Sequence, residues 1–167
     1  MPLRAILVAL VLGVFASQAR AADLVGYGEA LNVLYSVDLT TNTAVQIGGG
    51  TTDQGQIVGN IEGLTFSPSG TLYAVSDASA TKTLLTIDKT TGIAHVIGTL
   101  SLGSTSQLDL ALAFTCDGKL WMSASTGQLW SVDPATAKVV SLGNLGVKIT
   151  GLAARGSQLY GTGSQGN

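Results

Sequence analysis

The chain of 167 residues reads as all-β: β-propeller-type blades of four antiparallel strands, about three blade-equivalents in all. Two observations predict this. One segment recurs three times, Leu34-Tyr-Ser-Val-Asp38 through Gly48, Leu84-Leu-Thr-Ile-Asp88 through Gly98 and Leu129-Trp-Ser-Val-Asp133 through Gly143, with Asp-to-Asp spacings of 50 and 45 residues. A second family interleaves with it: Gly63-Leu-Thr-Phe66 then Gly70-Thr-Leu-Tyr-Ala-Val-Ser76, Ala111-Leu-Ala-Phe114 then Gly118-Lys-Leu-Trp-Met-Ser123, and Gly151-Leu-Ala-Ala154 then Ser157-Gln-Leu-Tyr-Gly161. Self-similarity at this period is the signature of stacked supersecondary units, each hiding its faces against its neighbours.

Each run justifies a strand on its own chemistry. The runs are short, rich in Leu, Val, Ile, Thr and aromatics, bounded by Gly, Ser, Asp and Asn, and none keeps a helical period. Leu72 to Val75 and Leu84 to Ile87 are apolar on both faces, as a sheet sandwiched between two others requires. A β-sandwich is the competing architecture, but sandwich strands have no reason to repeat turn residues and aromatics in register. In Asp88-Lys-Thr-Thr-Gly92 the carboxylate is placed to accept backbone N–H bonds and the glycine to take positive φ; Asp38-Leu-Thr-Thr-Asn42 repeats the turn with Asn. Asp38, Asp88 and Asp133 are therefore expected to cap turns, not to form a ring of catalytic acids.

With strands lettered A to D, residues 24–48 hold B-C-D, 61–98 and 108–143 hold two full blades, and 149–163 hold A-B. Rings of this kind need roughly four to eight blades. The ring is thus expected to be incomplete within residues 22–167, and is either continued by further sequence or closed by a second copy in a homodimer of about six blades.

Ahead of the repeat, residues 1–21 read as a secretory signal peptide: Arg4, an apolar run from Ala5 to Ala16, and the small-x-small site Ala19-Arg20-Ala21. The run is too short for a transmembrane anchor, and nothing later in the chain reads as a span. A secreted or periplasmic protein is expected. Without Arg4 and Arg20, six of the eight Lys and Arg remain against ten Asp and Glu. That balance argues against nucleic acid, which needs a basic surface to displace counterions. Cys116, the one cysteine, forms no intramolecular disulfide; it takes the turn place that Pro68 holds one repeat earlier, and a free thiol is expected.

The pattern Gly-Leu-x-Phe, a turn, Gly-x-Leu-Tyr-Ala, then Leu-x-x-Ile-Asp-x-x-Thr-Gly and a closing Ile-Gly resembles secreted bacterial propeller repeats of the NHL and YVTN-like kind, and propeller domains of unassigned activity. The resemblance runs over residues 24–163 and implies architecture, not activity. The Trp-Asp ending of WD repeats is absent, and the Gly-Gly pair of kelch repeats does not recur.

No catalytic constellation is visible. His95, the one histidine, lies in a D strand among apolar neighbours, which excludes a two-His metal site and makes a half-exposed surface imidazole the expected role. Gly48-Gly-Gly50 lacks the Gly-Lys-Ser/Thr of a phosphate cradle. The loops between D and A and between B and C remain, because propeller sites gather at that face and in the channel. The longest, Gly48 to Asn60, carries Asp53, Gln54, Gln56 and Asn60; Asp77 and Lys82 flank a B–C loop beside it, and Thr99 to Gln107 is the second D–A loop. These residues are the candidate surface for a protein or glycan partner, with no cofactor. The alternative is a metal-dependent hydrolase or lyase using Glu62 at the channel end of an A strand, its other ligands lying beyond residue 167. Calcium, which takes six to eight oxygens, belongs only to that reading. A disrupted gene remnant is the third.

Overall fold

The computed structural model describes residues 25–78, 81–103 and 108–163. The expected signal peptide at residues 1–21 lies outside the described residues, as does part of the Thr99 to Gln107 loop. Among the described residues there is no helix, hence none long and apolar enough to cross a membrane.

Fifteen strands among the described residues form four antiparallel sheets and one small hairpin. The first sheet is β1 (Val25–Ala30), β2 (Val33–Asp38) and β3 (Thr43–Ile47). The hairpin is β4 (Thr52–Asp53) and β5 (Gln56–Ile57). The second sheet is β6 (Ile61–Phe66), β7 (Leu72–Ser76), β8 (Lys82–Ile87) and β9 (Ala94–Leu100), and the third is β10 (Leu110–Phe114), β11 (Leu120–Ala124), β12 (Gln128–Val132) and β13 (Val139–Asn144). The fourth has two strands, β14 (Gly151–Arg155) and β15 (Gln158–Thr162). Each pairs with its sequence neighbour in simple meander order, so the expected all-β, four-stranded antiparallel units are present, and no sheet closes on itself as a barrel.

The double-sided apolar runs show how the sheets stack. Leu72, Ala74, Leu85 and Ile87 of the second sheet pack with Leu34 of the first. Their neighbours Val75 and Leu84 point the other way, into a cluster with Leu110, Leu112, Leu120 and Met122 of the third. One sheet thus serves two cores, and each fully buried Leu contributes about 1.5–3 kcal/mol. The inner strands β6 and β10 approach closely at Gly63, where an added Cβ would sit 3.1 Å from Leu112 N and 3.3 Å from Ala111 Cα.

The turns behave as their chemistry dictates. Asp38 Oδ1 accepts the backbone N–H of Thr40 at 2.7 Å and of Thr41 at 3.1 Å, and Asp88 Oδ1 those of Thr90 at 2.7 Å and Thr91 at 2.9 Å. Asp133 accepts from Ala135 N at 2.9 Å and from the Thr136 hydroxyl at 2.7 Å. Asn42, Gly92 and Ala137 close these turns with φ of 55°, 75° and 58°.

Candidate functional site

The connection between the first and second sheets is built, not slack. Thr52 pairs with Ile57 and Asp53 with Gln56, and the chain reverses at Gln54 and Gly55 with φ of 48° and 80°. Two successive positive φ values are what a tight two-residue hairpin turn demands. The hairpin is pinned at its base. Thr51 N donates to Asn32 O at 2.6 Å, Val58 N to Thr51 O at 2.8 Å, and Asn60 N to Asn32 Oδ1 at 2.8 Å. Thr52 also forms an isolated parallel bridge with Ile93, the residue just ahead of β9. Gln54 and Gln56 stand exposed on this platform, with Asp53 partly covered.

Asn32 organises the arrangement and was missed in the sequence. It sits at φ 64° after Leu31 at φ 54°, turning β1 into β2. An Asn between two apolar runs, the residue that best tolerates left-handed backbone after Gly, is the signal that was there to read.

Asp77 and Lys82 do not belong to the exposed surface, and that expectation is corrected. They are 5% and 3% exposed, and Lys82 Nζ lies 2.9 Å from Asp77 Oδ1. The other carboxylate oxygen accepts the Leu108 backbone N–H at 2.8 Å. Charges so placed are held in for architecture, because burying either alone costs several kcal/mol.

Glu62 owes its position to a bulge. Ile61 pairs with Ser76 and Gly63 with Val75, so Glu62 is an extra residue in β6. In β10 the equivalent pairs, Leu110 with Ala124 and Ala111 with Ser123, have nothing inserted. Leu110 therefore matches Ile61, not Glu62, and Asp109 matches Asn60. Bulges re-aim side chains, and Glu62 at this one feels the charges of three other acids. Burial first, then the charges of Asp109 and Asp77 and more weakly that of Glu29, raise its pKa; a hydrogen bond from Asn60 Nδ2 at 2.9 Å works the other way. Burial also raises the pKa of Glu29, partly offset by backbone hydrogen bonds from Asn32 and Val33. Among the described residues no group of three or more His, Cys, Asp or Glu is arranged to hold a metal ion.

The other singled-out residues lie apart. His95 is exposed on β9, paired with Thr86. Cys116 is an exposed free thiol in the β10–β11 turn, its N–H donating to Gly156 O at 2.9 Å. It lines a cavity of about 280 Å³ shared with Phe66, Pro68 and Phe114.

Residues 24–167 match the family model described as a repeat of unknown function, DUF6923. The chain belongs to this family. No curated protein matches it. Among solved structures, this DUF6923 chain is similar to one in the nidogen/laminin complex, with 17% identity over 80% of this chain and 48% of that one and a TM-score of 0.56. It is similar to the extracellular domain of BT4673 from B. thetaiotaomicron, at 19% identity over 81% of this chain and 18% of that one, TM-score 0.53. A luciferin-regenerating enzyme gives 14% identity over 78% of this chain and 43% of that one, also at TM-score 0.53. The DUF6923 chain spans half or less of each of these structures, and the likeness is one of propeller-like fold.

Proposed function

We propose that this chain is an exported β-propeller-type module, its blades akin to NHL and YVTN-like repeats, that binds a protein or glycan partner through the β4–β5 hairpin and the neighbouring loops. The observation that carries this reading is the hairpin itself: Gln54 and Gln56 are exposed, yet their backbone is fixed through Asn32 and Ile93. Polar groups ordered before contact spare a complex the entropy of ordering them. Export is supported by the leader-like residues 1–21 and by the likeness to an extracellular domain. The test is capture of partners from extracellular protein and glycan pools on the immobilised chain. Changing Asp53, Gln54 and Gln56 together to Ala is expected to abolish capture, and undiminished capture overturns the proposed face.

A second reading, a metal-dependent hydrolase or lyase, rests on the bulge at Glu62 and on the charges of Asp109, Asp77 and Glu29 that Glu62 feels. Calcium would need several more oxygens than these residues supply, with the remainder coming from sequence beyond residue 167. Stoichiometric calcium or zinc in a longer chain, lost on Glu62→Ala, supports it; a clean metal analysis counts against it.

A further inference from the structure

We infer that the pocket between the second and third sheets floored by Trp130 binds a neutral saccharide, an inference that rests on the reading of the D–A and B–C loop face as the binding surface and names a ligand class for it. The pocket has a volume of about 460 Å³, within the roughly 300–1,000 Å³ typical of small-molecule sites. It opens between the D–A loop at Ser101 and the B–C loop at Thr126, with Gln128, Ser141 and Asn144 completing a polar wall.

The lining selects by exclusion. Among the described residues it contains no charged side chain, so a phosphate, carboxylate or ammonium would lose its water without gaining a counter-charge. A purely apolar ligand would strip water from hydroxyls and amides and return no hydrogen bond. What fits is a neutral molecule with an apolar face and a rim of hydroxyls, the description of a sugar ring.

Trp130 shares the apolar part of the lining with Leu102 and Leu108 and adds one open donor. It is 7% exposed, and among the described residues its indole N–H has no hydrogen-bond partner. Trp121, one strand away, shows the usual arrangement, donating from Nε1 to Thr115 Oγ1 at 3.0 Å. Unlike Glu29 Oε1 and Thr51 Oγ1 this N–H is not sealed from solvent, so it meets water at the pocket and is open to an acceptor supplied by a ligand. The wall is set to meet it. Gln128 Nε2 donates to Ser141 Oγ at 2.6 Å, which fixes the amide. Asn144 is locked by its bonds to Thr126 O at 2.9 Å and from Gly146 N at 2.7 Å, which hold the rim in place.

The chain has two tryptophans, so a Trp121→Phe variant of the full chain leaves Trp130 as sole reporter. Its fluorescence is titrated with glucose, galactose, mannose, N-acetylglucosamine, maltose and cellobiose, with gluconate and glucosamine as charged comparators. At least one neutral sugar is expected to give a saturable change, with each charged comparator weaker by about tenfold or more. Gln128→Ala, on a half-exposed residue, is expected to weaken binding by about tenfold with an unchanged urea midpoint, and Trp130→Phe to weaken it in a calorimetric titration. No saturable response to any neutral sugar, equal binding of gluconate, or full affinity in Gln128→Ala overturns the inference. The two readings fail separately. If the hairpin triple variant loses its partner while no neutral sugar binds, only the saccharide inference falls; if that variant keeps its partner, the proposed hairpin face falls whatever the titration gives.

Discussion

Asp77 reaches from the second sheet to the backbone of Leu108, 2.8 Å away, just where the chain enters the third. Its other oxygen holds Lys82, so one buried ion pair anchors the junction between two blades. Removing one partner from such a pair leaves an uncompensated charge in the interior. Lys82→Met is expected to cost about 3–5 kcal/mol of stability, and the double change Asp77→Leu with Lys82→Met less than the sum of the single losses. Urea unfolding checks both, and a single-variant loss under about 1 kcal/mol contradicts the assignment.

Gly63 meets the third sheet without room for a methyl group. The atoms an added Cβ would strike are backbone, Leu112 N at 3.1 Å and Leu110 O at 3.2 Å, which do not yield as a flexible side chain does. Gly63→Ala is therefore expected to destabilise by about 1–3 kcal/mol, while the same change at Gly70, which is open to solvent but at φ 83°, costs about 1 kcal/mol from backbone strain alone. Equal urea midpoints for Gly63→Ala and the parent chain would show that the inner strands can spread apart.

Acid should act on this fold with two signs. Hydrogen bonds from Thr40 and Thr90 N–H and from the Thr136 hydroxyl hold Asp38, Asp88 and Asp133 below the usual aspartate value of 3.8. Lys119 and Thr115 take Asp117 down to about 2. Lowered carboxylates give stability that is complete above 3.8 and is lost as the pH falls through their folded values. Glu62 and Glu29, raised first of all by burial, do the opposite: the folded state takes up their protons first, so stability rises as pH falls from neutral towards the usual 4.5. The melting temperature is expected to peak in mild acid and to drop below about pH 4. Glu62→Gln should raise it at neutral pH and flatten the approach to that peak. A profile falling steadily from neutral pH down would remove the case for crowded acids at Glu62.

Most of the architecture was legible because the same physics recurs in each unit. Asp38, Asp88 and Asp133 could be assigned to turns from their repeat position, and the small residues Gly63 and Ala111 at aligned places mark where the inner strands touch. The site was less legible, since it depends on pairings that occur once. Nothing in Gly48 to Asn60 repeats elsewhere, so the hairpin over Gln54-Gly55 and its tether to Asn32 had no second copy to expose them. The bulge at Glu62 adds a residue that β10 lacks, so aligning the two strands by sequence alone slips by one residue there. Asp77 and Lys82 looked like loop charges because sequence shows polarity but not whether two charges cancel in the interior.

The outward face of the third sheet gives the last prediction. Its inner part is covered by β14 and the residues just ahead of it, where Ser123 Oγ donates to Ile149 O at 3.2 Å. Its outer part has no strand opposite among the described residues. Val140 and Leu142 on β13 are 62% and 51% exposed, and Val140 borders an open cavity of about 460 Å³ with Val132 and Pro134. Strand edges and apolar sheet faces left open recruit other chains. Sedimentation is therefore expected to show concentration-dependent self-association of the purified chain, consistent with a second copy completing the stack. Val140→Lys combined with Leu142→Lys should shift the equilibrium towards monomer without lowering the melting temperature, because both side chains are already in water. A monomer at every concentration, or an assembly indifferent to the two lysines, would mean that this face is not where copies meet.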